Sequence, residues 1–78
     1  MKIKFVKVDD VKNFIEAIRR FKSDIDLSTG HYCIDAKSIM GIYSLDISKD
    51  LTLTMHARDG ETEEMLRQAI ADAGITIL

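Results

Sequence analysis

The 78-residue sequence contains no proline, no tryptophan, one cysteine and only four glycines. The single cysteine, Cys33, excludes an intramolecular disulfide, and with two separated histidines it cannot complete a tetrahedral zinc site. No apolar run approaches the roughly 18 residues that a membrane-spanning helix needs. We therefore expect the fold to be held together by apolar packing, without a disulfide, a metal or a cofactor.

Charges of the two signs are nearly balanced: 11 Lys and Arg face 13 Asp and Glu, which gives a net charge of -2. This balance offers no general attraction to a nucleic acid backbone. The segment Met1–Lys7 interleaves lysines with apolar residues and does not have the pattern of a signal peptide. We expect a single cytoplasmic domain over residues 1–78 that binds neither nucleic acid nor membranes.

Hydrophobic periodicity predicts elements in the order β-α-β-β-α-β-α. Each predicted strand has one apolar and one polar face, which is typical of an antiparallel sheet with helices on one side. The predicted class is therefore α+β, a two-layer sandwich with a four-stranded sheet. Strands are predicted over Lys2–Val8, Ser23–Ser28, His31–Ala36 and Leu51–Met55, and helices over Asp10–Phe21, for about two turns from Ser38, and from Glu61 to Gly74. The end of the sequence, Ile75–Leu78, fits either a tail or a short edge strand.

The helix starts carry residues that are typical of N-terminal caps. Asp10 is predicted to cap the first helix, Ser38 the second, and the acidic residues Glu61–Glu64 the third. Gly30 provides the turn between the second and third strands. These caps and this turn are expected to specify the fold of a sequence that is poor in glycine and has no proline.

The string Ala36–Leu45, AKSIMGIYSL, together with this order of elements, resembles the phosphocarrier protein HPr of the sugar phosphotransferase system, especially its Gram-positive members. The similarity runs without a gap from about Phe14 to Ile70. It includes Phe14-Ile15, Phe21–Ile25, Asp59–Glu61 and Leu66. The resemblance implies the open-faced sandwich of that family, with all helices on one face.

The resemblance fails at the histidine that carries the phosphoryl group in the family. HPr carries a phosphoryl group on a histidine before the first helix, in the pattern histidine, small residue, arginine, proline; the matching positions here hold Lys7, Val8, Asp9 and Asp10. A lysine ammonium lacks the lone pair that a neutral imidazole offers, and two carboxylates oppose an incoming phosphate. The resemblance therefore implies a non-enzymatic domain without phosphocarrier activity, similar to the catabolite-repression paralogues of HPr.

Ser38 retains a second feature of the family. In Gram-positive HPr the serine at this position is the target of a regulatory kinase, and the apolar residues after it contact kinase and transcription-factor partners. The resemblance implies phosphorylation at Ser38 and a partner-binding surface formed by Ile39, Met40 and Tyr43. A phosphate at this cap would add about -1.5 to -2 charges to an apolar surface. The alternative interpretation is structural, because serine is a preferred N-cap.

Other functions stay open. A divergent phosphocarrier would use His31 or a rebuilt site near Lys7. A structural or oligomerising domain could exchange its first strand between protomers, so that the protein is either a monomer or a homodimer.

The remaining polar candidates have simpler interpretations. His56 is expected to be a surface histidine and Cys33 an unreactive residue of the third strand. Asp24, Asp26 and Asp35 lie on neighbouring predicted strands and are interpreted as the solvated face of the sheet, because a calcium site gathers six to eight oxygens.

Overall fold

Five antiparallel strands form one sheet in the computed structural model, which describes residues 1–78. The spatial order of the strands is β3-β2-β4-β1-β5, and three helices cover one face. This arrangement confirms the predicted α+β class. The strands are β1 (Lys2–Lys4), β2 (Asp24–Thr29), β3 (Tyr32–Asp35), β4 (Leu51–His56) and β5 (Thr76–Ile77), and the helices are α1 (Asp10–Ile18), α2 (Ile39–Tyr43) and α3 (Glu63–Asp72).

The fifth strand corrects the prediction of a four-stranded sheet. Gly74 turns the chain after α3 with a positive φ of 80°, and Ile75 is then buried. β5 pairs antiparallel with β1 through Ile3↔Ile77, so it covers what would otherwise be an exposed edge. The alternation in Ile75–Leu78 is therefore that of an edge strand and not of a tail.

One apolar core of 17 buried residues lies between the sheet and the helices. The rings of Phe5 and Phe14 meet edge to face, with centroids 5.4 Å apart. Only two polar residues, Asp10 and Ser23, are buried with this core. Since buried polar groups need hydrogen-bond partners, these two residues require an explanation.

Asp10 is the first residue of α1, and its hydrogen bonds explain why β1 is shorter than predicted. The predicted strand ran to Val8, but it ends at Lys4. The amides of Val6 and Lys7 do not join the sheet; they donate to the Asp10 carboxylate. The chain therefore leaves the sheet early and forms a loop before α1.

Ser23 lies at the other end of α1, where the helix also ends earlier than predicted, at Ile18 instead of Phe21. The Glu61 carboxylate accepts from the Ser23 hydroxyl at 2.6 Å and from the amides of Ser23 and Lys22 at 2.8 and 3.0 Å. The hydroxyl of Ser23 also accepts from the amide of Arg58 at 3.0 Å. These bonds turn the chain from α1 into β2.

The Lys37 ammonium completes this turn. It donates to the carbonyls of Phe21 and Ser23 at 2.5 and 3.0 Å. The hydrogen bond from Ser23 lowers the pKa of Glu61 below its ordinary value of 4.5. We call the group Ser23, Lys37 and Glu61 the polar hub.

The helix caps agree with the prediction at one position of three. Ser38 caps α2, and its Oγ accepts from the amide of Gly41 at 3.2 Å. The N-cap of α1 is Asp9 instead of Asp10, and its side chain makes no capping bond. The N-cap of α3 is Thr62, because Glu61 is engaged in the polar hub. None of the helices is both long and apolar enough to cross a membrane.

Candidate functional site

The loop before α1 is closed by an internal carboxylate. Oδ2 of Asp10 accepts from the amides of Val6 and Lys7 at 2.7 and 2.9 Å, and the residue is only 3% exposed. The bond from the Lys7 amide lowers the pKa of Asp10 below its ordinary value of 3.8, although burial opposes the shift. Two adjacent amides that could receive an anion are therefore already occupied by a side chain of this chain.

Exposed valines flank Lys7 in this loop. Val6 is 66% and Val8 96% exposed, while Phe5 and Val11 at the two ends of the loop are buried. The Asp10 bonds hold the backbone of the loop at Val6 and Lys7. The loop thus presents apolar side chains and one ammonium group to solvent.

Ser38 stands at the start of α2 in an extended conformation and is half-buried. Gly41 packs against it, and a Cβ added at Gly41 would lie 3.3 Å from the Ser38 Oγ. α2 itself is a five-residue helix, which is shorter than the predicted two turns. It ends at the Ser44 cap, whose hydroxyl donates to the Gly41 carbonyl. The predicted phosphorylation residue is therefore held in a tight local turn.

α2 buries one side and exposes the other. Ile42 is fully buried in the core, whereas Ile39, Met40 and Tyr43 are 47%, 81% and 59% exposed. Tyr43 follows Ile39 by four residues and Met40 by three, which places the three side chains on one side of the helix. The residues predicted to bind partners are thus accessible and adjacent.

The loop before α1 and the exposed side of α2 meet in a groove of about 390 Å³. The residues that line it are Phe5, Val6, Lys7, Val8, Val11, Tyr43, Ile47 and Ser48, while Ile39 and Met40 lie outside it on α2. We call the five exposed residues Val6, Val8, Ile39, Met40 and Tyr43 the apolar face. Of the eight large hydrophobic side chains that the protein exposes, five belong to this face. Such a concentration is not expected for apolar residues scattered singly over a surface.

The segments near the loop before α1 and after α2 carry exposed charges of both signs. Lys7 and Lys12 alternate with Asp9 before and within the first turn of α1, and Lys49 lies between Asp46 and Asp50 after α2; all six are exposed. The hydrogen bond from Ser48 lowers the pKa of Asp46. Of these six residues only Lys7 lines the groove between the loop and Tyr43, and Asp46 and Lys49 line a separate groove.

The structure separates the predicted site residues into two sets. Lys7 and Tyr43 line the same groove, and Ile39 and Met40 lie one helical turn from Tyr43. Asp10 points into the protein, and Asp9 is exposed without lining the groove. Lys7, Asp9 and Asp10 therefore do not converge on one point where a phosphoryl group would bind.

The two histidines lie elsewhere. His31 lines a groove of about 540 Å³ with Ser44, Asp46 and Lys49 at the C-terminal end of α2. His56 is on the open face of the sheet, with its Nε2 2.8 Å from Oδ2 of Asp26. Neither histidine is part of the apolar face.

The acidic residues of the sheet do not form a metal site. Asp26 lies opposite Asp35 on β3 and pairs with His56, and no group of three metal-ligating side chains converges anywhere in the chain. Cys33 is a free, exposed cysteine on the edge strand β3. The face of the sheet away from the helices is thus a polar, solvated surface.

The sequence prediction missed Val6, Val8 and the inward direction of Asp10. A signal was present: in the alternation of the predicted first strand, Val6 and Val8 share the phase of Lys2 and Lys4, so apolar side chains occupy positions that face solvent. Apolar residues in the solvent-facing phase of a strand indicate either that the strand has ended or that its surface is apolar. Here β1 ends at Lys4, and Val6 and Val8 are also exposed.

The family model described as the PTS HPr component phosphorylation site matches residues 10–73. Among curated proteins, the chain is 34% identical over 58 residues to the HPr-like protein Crh of Bacillus subtilis (strain 168), across 74% of this chain and 68% of that protein. The match to the family model begins at Asp10 and therefore leaves out Lys7 and Asp9.

Two solved structures are similar over nearly the whole chain. A phosphocarrier protein HPr from Bacillus anthracis str. Ames has a TM-score of 0.71 at 28% identity, and the alignment covers 91% of this chain and 90% of that one. Crh from Bacillus subtilis has a TM-score of 0.67 at 29% identity, with 95% and 84% covered, and its crystal structure is described as a domain-swapped, intertwined dimer.

Proposed function

The chain belongs to the HPr family of the sugar phosphotransferase system, and we propose that it is a non-catalytic regulatory module that binds protein partners and does not carry phosphate on a histidine. The observation that carries this proposal is the apolar face, which includes the two exposed valines of a loop with no histidine and Met40 at 81% exposure. Methionine adapts to differently shaped apolar partners, so an exposed one suits a binding surface. A cytoplasmic location is part of the proposal.

The loop before α1 supports the loss of phosphocarrier activity for two reasons. Lys7 stands where the family has its histidine and offers no neutral nitrogen nucleophile at neutral pH. Asp10 places a carboxylate on the amides of Val6 and Lys7, which an oxyanion would otherwise use. A phosphoryl group arriving there would meet a fixed negative charge and no free donor at these two positions.

Phosphotransfer with labelled phosphoenolpyruvate and the general phosphotransferase enzyme tests this part of the proposal. We expect no label on the wild-type chain, while an HPr that contains the histidine serves as positive control. Lys7→His alone should also remain unlabelled, because Asp10 still occupies the amides. The triple variant Lys7→His/Asp9→Arg/Asp10→Pro should accept label. Acid-labile phosphate on the wild-type chain would show that the proposal is wrong.

Ser38 is proposed as the regulatory position of the module. Its hydroxyl lies next to Ile39 and Met40, so a phosphate would bring about -1.5 to -2 charges to the apolar face. The Ser38 Oγ already accepts from the Gly41 amide, which would remain as one donor to the phosphate ester. Phosphorylation would thereby change which partners the face can bind.

A bifunctional HPr kinase with ATP tests this role. The wild-type chain and Ser44→Ala are expected to be modified equally, and Ser38→Ala not at all. Ser44 is a matched control because it caps the other end of the same helix and is exposed. Modification that persists in Ser38→Ala would assign the phosphate to another residue and contradict the proposal.

An alternative function is a divergent phosphocarrier that uses His31. Lys49 and Ser44 line the groove with this histidine and supply a cation and a hydroxyl. The carboxylate of Asp46 in the same groove opposes a phosphate, so this candidate ranks second. The phosphoenolpyruvate assay separates the two functions, because labelling through His31 would be lost in His31→Ala.

A further inference from the structure

Lys37 precedes the proposed phosphorylation residue Ser38 in the sequence, but its ammonium is bound in the polar hub at the turn after α1. We propose that Lys37 is the positioning residue of Ser38: it ties the start of α2 to the turn after α1 and thereby holds the Ser38 hydroxyl in the conformation that a kinase binds. The inference rests on the proposed phosphorylation of Ser38 and names the residue that controls it.

The ammonium of Lys37 is engaged inside the protein. It donates to the carbonyls of Phe21 and Ser23 at 2.5 and 3.0 Å, and the residue is half-buried. The Ser23 hydroxyl is the main cause of the lowered pKa of Glu61, and the Lys37 charge adds to it. Hydrogen bonds from a charged donor are stronger than neutral ones, and partial burial strengthens them further. The lysine beside Ser38 is therefore an anchor within the fold and not a free surface charge.

A continuous series of hydrogen bonds leads from this anchor to the hydroxyl of Ser38. The amides of Lys37 and Ser38 donate to the side chain and the carbonyl of Asp35, each at 3.0 Å. The amide of the buried Ala36 donates to a carbonyl of β2 at 2.8 Å. Ser38 then accepts from the Gly41 amide through its Oγ at 3.2 Å. The segment is thus fixed to the sheet at Ala36 and to the turn after α1 at Lys37.

Helix α2 depends on such anchors because it is short. An isolated helix needs about 12–15 residues to be even marginally stable in water, and α2 has five, of which only Ile42 is buried. The conformation at its start is therefore set by the groups that hold Ser38. Lys37 provides the side-chain hydrogen bonds that connect this start to the turn after α1.

Loss of the anchor should reduce the fraction of molecules that present Ser38 in this conformation. In the phosphorylation step, the Ser38 Oγ bonds to the γ-phosphorus of ATP, the bond from that phosphorus to the ADP oxygen breaks, and the hydroxyl proton passes to a base of the kinase. A kinase that accepts only one conformation binds with an apparent affinity reduced by the fraction populated, while the step in the bound complex is unchanged. We therefore expect a higher KM for the protein at nearly constant kcat.

Hydrogen exchange of the full chain, measured by NMR, tests the anchor without a kinase. In Lys37→Met the Gly41 amide should exchange at least about tenfold faster than in the wild type, because its acceptor is held less firmly. The amides of the central strand β4 should keep their wild-type rates, whereas a general loss of stability would raise them too. Lys37→Arg keeps a cationic donor and should restore slow exchange. Lys22→Met, which removes the same charge from an exposed residue beside the hub, should have no effect.

A bifunctional HPr kinase with ATP measures the consequence at Ser38. Lys37→Met should raise the KM for the protein by at least about tenfold and change kcat by less than about twofold. Lys37→Arg and Lys22→Met should behave like the wild type. A lysine that the kinase recognises directly would give the same rise in KM, but the exchange of the Gly41 amide would then stay unchanged.

Three results would overturn the proposal: unchanged Gly41 exchange in Lys37→Met, equal acceleration of the Gly41 and β4 amides, or an unchanged KM in a variant whose Gly41 amide exchanges faster. A wild-type chain that the kinase leaves unlabelled at Ser38 would instead contradict the proposed function, while Gly41 exchange decides separately whether Lys37 holds the cap. Failure of the two proposals is therefore distinguishable.

Discussion

Helix α1 has an acidic side chain bound to backbone amides near each of its ends, but the two ends serve different purposes. At the N-terminal end, Asp10 accepts from two amides and the loop it closes exposes Val6 and Val8. At the C-terminal end, Glu61 accepts from two amides and from the hydroxyl of fully buried Ser23.

The two carboxylates differ in the groups that they bind and in what those bonds support. The polar hub satisfies buried groups between α1 and β2, so it contributes mainly to the stability of the fold. The Asp10 contact orders a loop whose side chains remain in solvent, so it contributes mainly to the shape of the apolar face. The same interaction, a carboxylate on adjacent amides, therefore supports the fold at one end and the candidate site at the other.

Acid should disrupt the carboxylate bonds at both ends of α1 and should cause the largest loss in the free energy of unfolding. Asp10 and Glu61 have folded pKa values lowered from 3.8 and 4.5, so they stabilise the folded state above these values and lose that contribution as the pH falls through their lower folded pKa values. Urea unfolding from neutral pH down to about pH 2 should show this decline in the free energy of unfolding. Asp10→Asn/Glu61→Gln should flatten it, with a residual slope from Asp46. An unchanged slope in this double variant would contradict the assignment.

Removing the Ser23 hydroxyl from the polar hub should cause the next largest loss in the free energy of unfolding. Ser23→Ala deprives the amide of Arg58 of its acceptor and the Glu61 carboxylate of a donor, and both bonds are made by a fully buried residue. We expect a loss of about 2–3 kcal/mol in the free energy of unfolding. Ser28→Ala is the control, because the Ser28 hydroxyl makes only a 3.5 Å contact to the Thr52 carbonyl. Equal losses in the two variants would argue against a special role for the hub.

Breaking the N-terminal contact should cost less stability. Asp10→Ala frees the amides of Val6 and Lys7, which can reach water in the loop, and should lower the free energy of unfolding by about 1–2 kcal/mol. Hydrogen exchange of these two amides should accelerate while that of the Ser23 amide stays slow. Asp9→Ala should leave both measurements unchanged, since the Asp9 side chain makes no cap bond. Protected Val6 and Lys7 amides in Asp10→Ala would show that another group closes the loop.

The smallest effect on stability is expected at the apolar face itself. Val8 is 96% exposed, so Val8→Lys should change the free energy of unfolding by no more than about 0.5 kcal/mol. Thermal unfolding at low protein concentration measures this. A much larger loss would mean that Val8 packs in the folded monomer and is not free to bind a partner.

The period of the hydrophobic pattern was enough to predict most of the fold. Leu51 and Leu53 alternate with threonines over the whole of β4, and Val11, Phe14 and Ile18 recur at helical spacing in α1. Similarity to HPr and Crh confirms the predicted resemblance and the order of elements. The errors are at boundaries, where side-chain hydrogen bonds compete with the local pattern: Asp10 binds the amides that follow β1, and Glu61 binds the amide of Ser23, 38 residues away, in the turn that follows α1.

The candidate site was predicted only in part. The helical spacing places Ile39 on the face of Ile42 and leaves Met40 outside; in the structure Met40 is 81% exposed and Ile42 is buried, but Ile39 is 47% exposed. The groove shared by the loop before α1 and Tyr43 was not predicted, since its residues are more than 30 positions apart and come together only after β1 and α2 pack on the same core. The roles of Lys7, Asp9 and Ser38 remain predictions that the proposed assays test.

The sequence by itself determined the class of the fold, the capping of α2 by Ser38 and the absence of a histidine before α1, because these depend on residue type and on spacing within one element. Only the tertiary structure decided that Ile75–Leu78 closes the sheet, that Asp10 faces inward and that Val6 and Val8 join α2 in one surface. Those outcomes depend on which distant groups satisfy buried amides and which apolar residues find room in the core. Local spacing carries no information about either.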